Sequence, residues 1–452
     1  MKTQTKKNKY EIDMCNGSIL DKLISFSIPL MLSGILQLLF NAVDIIVVGR
    51  FTGSEALAAV GSTTALINVF VNLFMGISLG ANVLAARFYA TGQDKEMSET
   101  VHTSITLALI SGIVMGIVGI LAAKGALELM DTPDNVLDQA TLYMRIYFMG
   151  MPFFMLYNYG AAILRAVGDT KRPLYFLILS GTTNAILNMF LVIRFHMGVA
   201  GVAIATVISQ CISCVLVLKC LYDSEGSYQL RFSMLGMKAR YVKQIFQVGV
   251  PAGIQSTIIN FSNVLLQSSV NSFGSVAMAG YTAANNILGF LYVSVNSITQ
   301  ACMSFTSQNY GVRKFKRMDK VLLECLGLTV VVALVLGGGS YLFGSELMHI
   351  YTKSADVVAC GVDIMLYTTV TYFLCGIMDL FPGALRGMGH STVPMILSVI
   401  GTVGTRIVWI YLIFPYHRAL DFLFISYPVS WLLTIVMQVV CFYFVRKKVH
   451  AM

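Results

Sequence analysis

Charge is scarce in this sequence. Asp, Glu, Lys and Arg make up 12% of the 452 residues and apolar residues 56%, whereas a soluble domain carries about twice that share of charge. A chain so poor in charge cannot cover the outside of a soluble globule. Histidine is also rare, with six residues and no cluster. There is no Gly-x-x-x-x-Gly-Lys phosphate loop and no His-Glu-x-x-His pair, which speaks against ATP-driven transport within this chain and against zinc hydrolysis. No short apolar core ending in a small-residue cleavage site opens the sequence. Its first 25 residues are polar and basic (Lys2, Lys6, Lys7, Lys9), which predicts a cytosolic N-terminus. The nine Cys are mostly scattered within apolar runs. Cys211 and Cys214 have Cys-x-x-Cys spacing, yet without a second pair. They read as buried structural thiols, with a metal or redox site as the alternative.

What is present is length of apolar sequence. Ser104–Ala123, Leu174–Ile193, Val321–Leu336 and Trp431–Val445 are examples. Runs near 20 residues can cross the hydrocarbon core as helices. Twelve spans are predicted, at 22–48, 57–82, 99–122, 139–163, 173–194, 198–221, 243–271, 277–304, 320–343, 359–384, 393–414 and 420–445. With the N-terminus inside, 24 of the 31 Lys and Arg residues fall in inside segments and five in outside ones, while Arg145 and Arg406 lie within spans. That asymmetry follows the positive-inside rule and predicts both termini in the cytoplasm. The net charge of +9 is thus a topology signal and not a nucleic-acid footprint.

The chain repeats itself. Gly53-Ser54-Glu55-Ala56-Leu57-Ala58-Ala59 returns as Gly274-Ser275-Val276-Ala277-Met278-Ala279-Gly280, and Leu164-Arg165-Ala166-Val167-Gly168 through Pro173 returns as Leu385-Arg386-Gly387-Met388-Gly389 through Pro394. Both pairs are offset by 221 residues, and Ile28-Pro29 with Val250-Pro251 agrees within one. Six spans per repeat is even, so the two halves enter the membrane in the same sense. This predicts an all-α membrane protein of twelve transmembrane helices, in two six-helix lobes related by a pseudo-two-fold axis. The expected domains are a cytosolic tail (1–21), a first lobe (22–221), a cytosolic linker (222–242), a second lobe (243–445) and a cytosolic C-terminal tail (446–452).

Ionisable groups within spans are costly and therefore candidates for function. Asp44 lies in the first span, with Asn41 on the same helical face. A carboxylate there can carry a proton, a metal cation or a cationic substrate; a hydrogen-bonded structural Asp is the alternative. Asn184 and Asn188 share a face of the fifth span, Thr206 lies in the sixth and Asn158 in the fourth. These neutral oxygens could coordinate a small cation or hold helices together. In the second half, Asp379 and Arg406 are candidates for an ion pair or for a polar site of that lobe. Asp379 is the repeat equivalent of Asn158, while Asp44 and Arg406 have no charged equivalents.

These residues resemble the multidrug and toxic compound extrusion (MATE) family of prokaryotes. The carriers are Ile28-Pro29, Leu39-Phe40-Asn41-Ala42-Val43-Asp44, Val48-Gly49 and the run Gly53–Gly61, then Leu164–Asp169 with Pro173, and Met197–Gln210. The resemblance implies a V-shaped pair of six-helix lobes in the plasma membrane. It also implies antiport of cationic, amphipathic drugs against protons or sodium ions. The family's first-span acid falls on Asp44, and its polar cluster on Asn158, Asn184, Asn188 and Thr206. Two departures bear on the ion. Asn188 stands where the family often has a second Asp, and Gln255-Ser256-Thr257-Ile258-Ile259-Asn260 lacks the acid of some sodium-coupled members. One formal charge favours the proton, with sodium at Asp44 the alternative. A lipid or lipid-linked oligosaccharide flippase is the competing function, and a membrane-embedded enzyme a third class without a motif to support it. No cofactor is implied, and a duplicated single chain suggests a monomer.

Overall fold

The computed structural model describes residues 9–451, apart from the side chains of Ser54 and Ala65. Lys2, Lys6 and Lys7, counted above as inside charges, lie outside the described residues. The described residues form helices and connecting turns, without strands. That is the expected outcome for a chain whose backbone polar groups must be satisfied locally within lipid.

In chain order the helices are α1 (Leu20–Phe51), α2 (Ser54–Thr91), α3 (Asp94–Leu129), α4 (Asp134–Met149), α5 (Met151–Ala166), α6 (Lys171–Met189) and α7 (Gly198–Tyr222). Then come α8 (Ala239–Asn271), α9 (Ser275–Gly311), α10 (Phe315–Leu342), α11 (Gly344–His349), α12 (Ala355–Thr368) and α13 (Tyr372–Gly387). The last four are α14 (Thr392–Ser398), α15 (Thr405–Val408), α16 (Leu420–Phe424) and α17 (Ser426–His450). Short π-helical stretches follow α6 (Phe190–Arg194) and flank α15 (Val399–Gly404 and Trp409–Ile413).

Each predicted span coincides with one of these helices or with a run of consecutive ones. By length and composition, nine helical segments among the described residues can cross a membrane, and the bent pair α12–α13 makes a tenth. The other two predicted spans differ for physical reasons. The fourth is broken at Gly150 into α4 and α5, of 16 residues each. The seventh, α8, is 33 residues long, but Gln255, Asn260, Asn263 and Gln267 dilute its apolar character. The tenth is bent by 43° between α12 and α13.

The chain divides into two compact units. Unit 1 comprises Met1–Asp13 and Leu32–Gly253, and unit 2 comprises Met14–Met31 and Ile254–Met452. Of the three divisions, one precedes α1 (between Asp13 and Met14) and the other two fall inside α1 and α8. In unit 1, α3 packs on α2, α4 and α5, and α7 packs on α4, α5 and α6. Its core includes Met144, Phe148, Met151, Met155 and Tyr159. Two Gly-x-x-x-Gly steps, Gly76 to Gly80 on α2 and Gly249 to Gly253 on α8, let backbone meet backbone. A methyl group at any of the four would overlap main-chain atoms of the other helix.

Unit 2 repeats these pairings. The packing of α2 on α5 returns as α9 on α13, α3 on α5 as α10 on α13, and α5 on α7 as α13 on α17. The repeated motifs acquire a conformational reason. Gly53 and Gly274 precede α2 and α9 with φ of 101° and 94°. Gly168 and Gly389 follow α5 and α13 with φ of 94° and 92°. All four positions demand a positive φ that residues with a Cβ rarely adopt. The duplicated glycines are therefore hinges of the chain path, preserved in frame in both halves.

Candidate functional site

The polar cluster of unit 1 is built by three helices. Helix α1 supplies Asp44, α6 supplies Asn184 and Asn188, and α7 supplies Thr206. Asn184 and Asn188 are one turn apart and face the same way, with exposures of 5% and 0%. Asn188 Nδ2 donates to Asp44 Oδ1 and to Asn184 Oδ1, the latter at 3.1 Å. Asn184 Nδ2 donates to Thr206 Oγ1 at 3.4 Å. With its amide in the opposite orientation, Asn184 instead donates to Asp44 Oδ1 at 2.9 Å and accepts from the Thr206 backbone N–H at 3.3 Å. The Thr206 hydroxyl donates to the Val202 carbonyl at 3.0 Å, which holds its oxygen in place.

Two features bring α1 up to α6. The Phe40 ring lies on Gly181, where a Cβ would collide with it. Phe40 is one turn before Asp44, and Gly181 one turn before Asn184, so this close approach sets the spacing of the polar groups. Past Asn188, α6 widens into its π-helical turn. Such bulges are frequent at functional sites because they re-aim side chains.

The electrostatics are one-sided. Asp44 is half-buried, and no basic side chain neutralises it among the described residues; its polar partner is Asn188. Asn188 Oδ1 is buried without a partner. A buried carbonyl oxygen left unpaired costs about 1–3 kcal/mol. The cluster therefore presents oxygen atoms in excess of donors: the Asp44 carboxylate, the Asn amide oxygens and the Thr206 hydroxyl. Such a set accepts a proton at the carboxylate or a hard cation among the oxygens. No group of three or more His, Cys, Asp or Glu gathers as a metal site among the described residues, and all nine Cys are free thiols.

The structure brings Asp44, Asn184, Asn188 and Thr206 together. Asn158 does not join them through its amide, which donates to the Phe154 carbonyl one turn back at 2.8 Å. Asn41 is exposed. Three residues passed over in the sequence lie at the cluster. Tyr143 and Tyr147 on α4 are both within electrostatic reach of Asp44, and Gln210 on α7 lies beside Tyr147. The two tyrosines stack with centroids 6.3 Å apart. A Cβ at Gly150 would stand 2.5 Å from Gln210 Oε1, so the break between α4 and α5 also makes room for this residue. Spacing was the available signal: Tyr143 with Tyr147, and Thr206 with Gln210, are i and i+4 pairs.

In unit 2 the expected pairing of Asp379 with Arg406 is not found. Arg406 is 3% exposed. Its Nη1 donates to Asn263 Oδ1 at 2.9 Å and to Ser262 Oγ at 3.5 Å. Its guanidinium lies 4.4 Å from the centre of the Tyr427 ring, a cation–π contact that offsets part of the burial cost. The cation acting on Asp379 is Arg386, whose Nη2 donates to Gln255 Oε1 at 2.7 Å. The sequence reading counted Arg386 as a loop charge, but α13 continues through Gly387 and carries it inside.

Comparison with known proteins agrees with the duplicated architecture. The MatE family model matches the chain twice, over residues 29–190 and 251–412. The two matches start 222 residues apart. The probable multidrug resistance protein YoeA of Bacillus subtilis (strain 168) is 28% identical over 434 residues, covering 94% of this chain and 93% of that one. The probable multidrug resistance protein YpnP of the same organism is 26% identical over 389 residues, covering 86% and 87%. Among solved structures, a MOP superfamily transporter from Pyrococcus furiosus superposes with a TM-score of 0.90 at 22% identity and covers 99% of each chain. At that identity the likeness shows the fold. Fold, twofold match and relatives agree: this chain belongs to the MatE family, the multidrug and toxic compound extrusion transporters.

Proposed function

We propose that this protein is a secondary active multidrug exporter of the plasma membrane. It carries cationic, amphipathic compounds outward by antiport with protons, through alternating access. The observation that carries this reading is the Asp44 carboxylate, held by neutral amides on α6 and without a counter-cation among the described residues. An acid in such surroundings exchanges one positive charge for another: a proton, or a cationic cargo. The names of the relatives, which are multidrug resistance proteins, support the choice of cargo class. Membership of the family speaks for a transporter rather than an enzyme.

In this mechanism Asp44 is loaded from the outer side and the repacking of α1 around it expels the drug. Return to the inner side releases the proton and admits new cargo. The coupling set is Asp44, Asn184, Asn188 and Thr206, with Tyr143 and Tyr147 beside it. A single formal charge in the set favours the proton over sodium, because a sodium site gains most of its affinity from charged oxygen ligands. The positive-inside count supports a cytoplasmic location for both termini, and one duplicated chain supplies both lobes, which supports a monomer.

Ethidium accumulation in everted vesicles, whose cytoplasmic face is outermost, tests the function. Transport driven by an imposed proton gradient, and not by the vehicle alone, is expected. Failure to move any cationic dye under either a proton or a sodium gradient, with lipid translocation in its place, would favour the flippase reading.

A further inference from the structure

We propose that unit 1 carries a binding site for the headgroup of a phosphatidylethanolamine lipid, in a cavity of about 280 Å³ lined by Arg172, Phe176, Leu216, Lys219, Cys220 and Asp223. The cavity is formed where α6 begins and α7 ends, which puts it at one end of an antiparallel helix pair. It is separate from the Asp44 cluster, whose ligands on α6 lie three turns further along.

Its lining is graded in polarity along the helices. Phe176 is one turn inward of Arg172 on α6, and Leu216 is one turn inward of Cys220 on α7. Phe176 and Leu216 lie within the predicted spans, while Arg172 and Asp223 lie just beyond their ends. The site therefore has an apolar floor at acyl-chain depth and a charged rim at headgroup depth. That gradient fits an amphiphile held at the membrane surface.

The rim charges select the headgroup. Arg172 Nε donates to Asp169, and its backbone N–H donates to Asp169 Oδ1 at 3.1 Å. The guanidinium lies 5.5 Å from the centre of the Tyr10 ring. Asp169 and Tyr228 thus hold the Arg172 guanidinium within the protein, where it contributes positive charge to the wall of the cavity. Lys219 and Asp223 are exposed, and neither is in an ion pair among the described residues, although they are i and i+4. A phosphodiester pairs with Lys219 beside the positive Arg172 guanidinium, and a primary ammonium pairs with Asp223. Ethanolamine phospholipid offers both groups a few bonds apart. A choline headgroup has no N–H to give Asp223, and a glycerol headgroup has no cation.

Native mass spectrometry of the purified full-length protein tests this. The probes are ethanolamine, choline and glycerol phospholipids with the same acyl chains, and soluble O-phosphoethanolamine. The ethanolamine lipid is expected to be retained best. Asp223→Asn removes its advantage over the choline lipid, a loss of roughly three- to tenfold, the size of one charge-assisted hydrogen bond at a partly hydrated site. Lys219→Gln weakens all three lipids, because all carry the phosphate. Lys171→Gln, a neighbouring cation that does not line the cavity, leaves the order unchanged. Soluble O-phosphoethanolamine is not retained, because it lacks chains for the apolar floor. Equal retention of the three lipids, a preference for the glycerol lipid, or an ethanolamine preference that survives Asp223→Asn would overturn the proposal. Retention of O-phosphoethanolamine equal to the lipid would overturn the lipid as its source.

Discussion

Asn188 on α6 donates its amide N–H to the Asp44 carboxylate on α1, while its own Oδ1 is buried with no donor to meet it. This one residue therefore both positions the acid and adds a spare oxygen next to it. The cluster thereby offers more oxygen acceptors than donors, and under the proposed function the ion it favours depends on how many carboxylates are present.

Asn188→Asp is expected to change the ion. A second carboxylate at Asp44 gives two formal charges for a small cation, with the Asn184 and Thr206 oxygens beside them. Efflux by this variant should respond to an imposed sodium gradient more strongly than the parent does. The check is the ratio of sodium-driven to proton-driven dye efflux in vesicles, measured for both proteins.

The Phe40–Gly181 contact sets the distance from α1 to α6. Gly181→Ala places a methyl group inside the Phe40 ring and should cost about 1–3 kcal/mol, as overpacking does. Thermal unfolding in detergent reads the stability and dye efflux the coupling. Phe40→Leu in the same chain, a smaller and more flexible side chain, should restore part of both.

Gly53 and Gly274 have open space around the position of a Cβ, so substitution there isolates backbone strain. Their φ near +100° with ψ near 180° is a region held almost only by glycine. Gly53→Ala and Gly274→Ala should each destabilise by about 1–3 kcal/mol. The two losses should be similar, because the repeat makes the positions equivalent. Calorimetry of the two single variants checks this.

Double-mutant cycles separate the charges of unit 2. Asp379→Asn with Arg386→Met should show a coupling energy of about 0.5–3 kcal/mol, and Asp379→Asn with Arg406→Met should be additive within about 0.5 kcal/mol. Asn263→Ala removes the shorter of the two hydrogen bonds of Arg406 Nη1, leaving the one to Ser262 Oγ at 3.5 Å, and should cost more than an exposed Asn→Ala change, by about 1–3 kcal/mol.

Much of this fold is legible in the sequence because lipid leaves few options. A run of apolar residues near 20 long reads as a helix, and the loop charges follow from topology. The duplicated glycines were visible as identities, and the structure supplies their reason in positive φ. The breaks were not legible. Gly150 and the turn at 369–371 sit inside continuous apolar runs, where hydropathy does not distinguish a straight span from a bent one. The site was half legible. Asp44, Asn184, Asn188 and Thr206 stood out as polar residues in apolar surroundings. Tyr143 and Tyr147 did not, because a tyrosine in a span reads equally as packing or as lipid contact. Arg386 is not legible as the cation beside Asp379 because the predicted span ends at 384, whereas α13 continues through Gly387.

The central claim is that Asp44 couples cargo to the ion. The most direct measurement is ethidium efflux by Asp44→Asn in proteoliposomes, with proton and sodium gradients imposed separately and protein amounts matched. Asn keeps the size and hydrogen bonding of the side chain and removes the titratable charge. The account predicts that gradient-driven efflux is lost while the protein remains folded. Undiminished coupled efflux by Asp44→Asn under either gradient would contradict it.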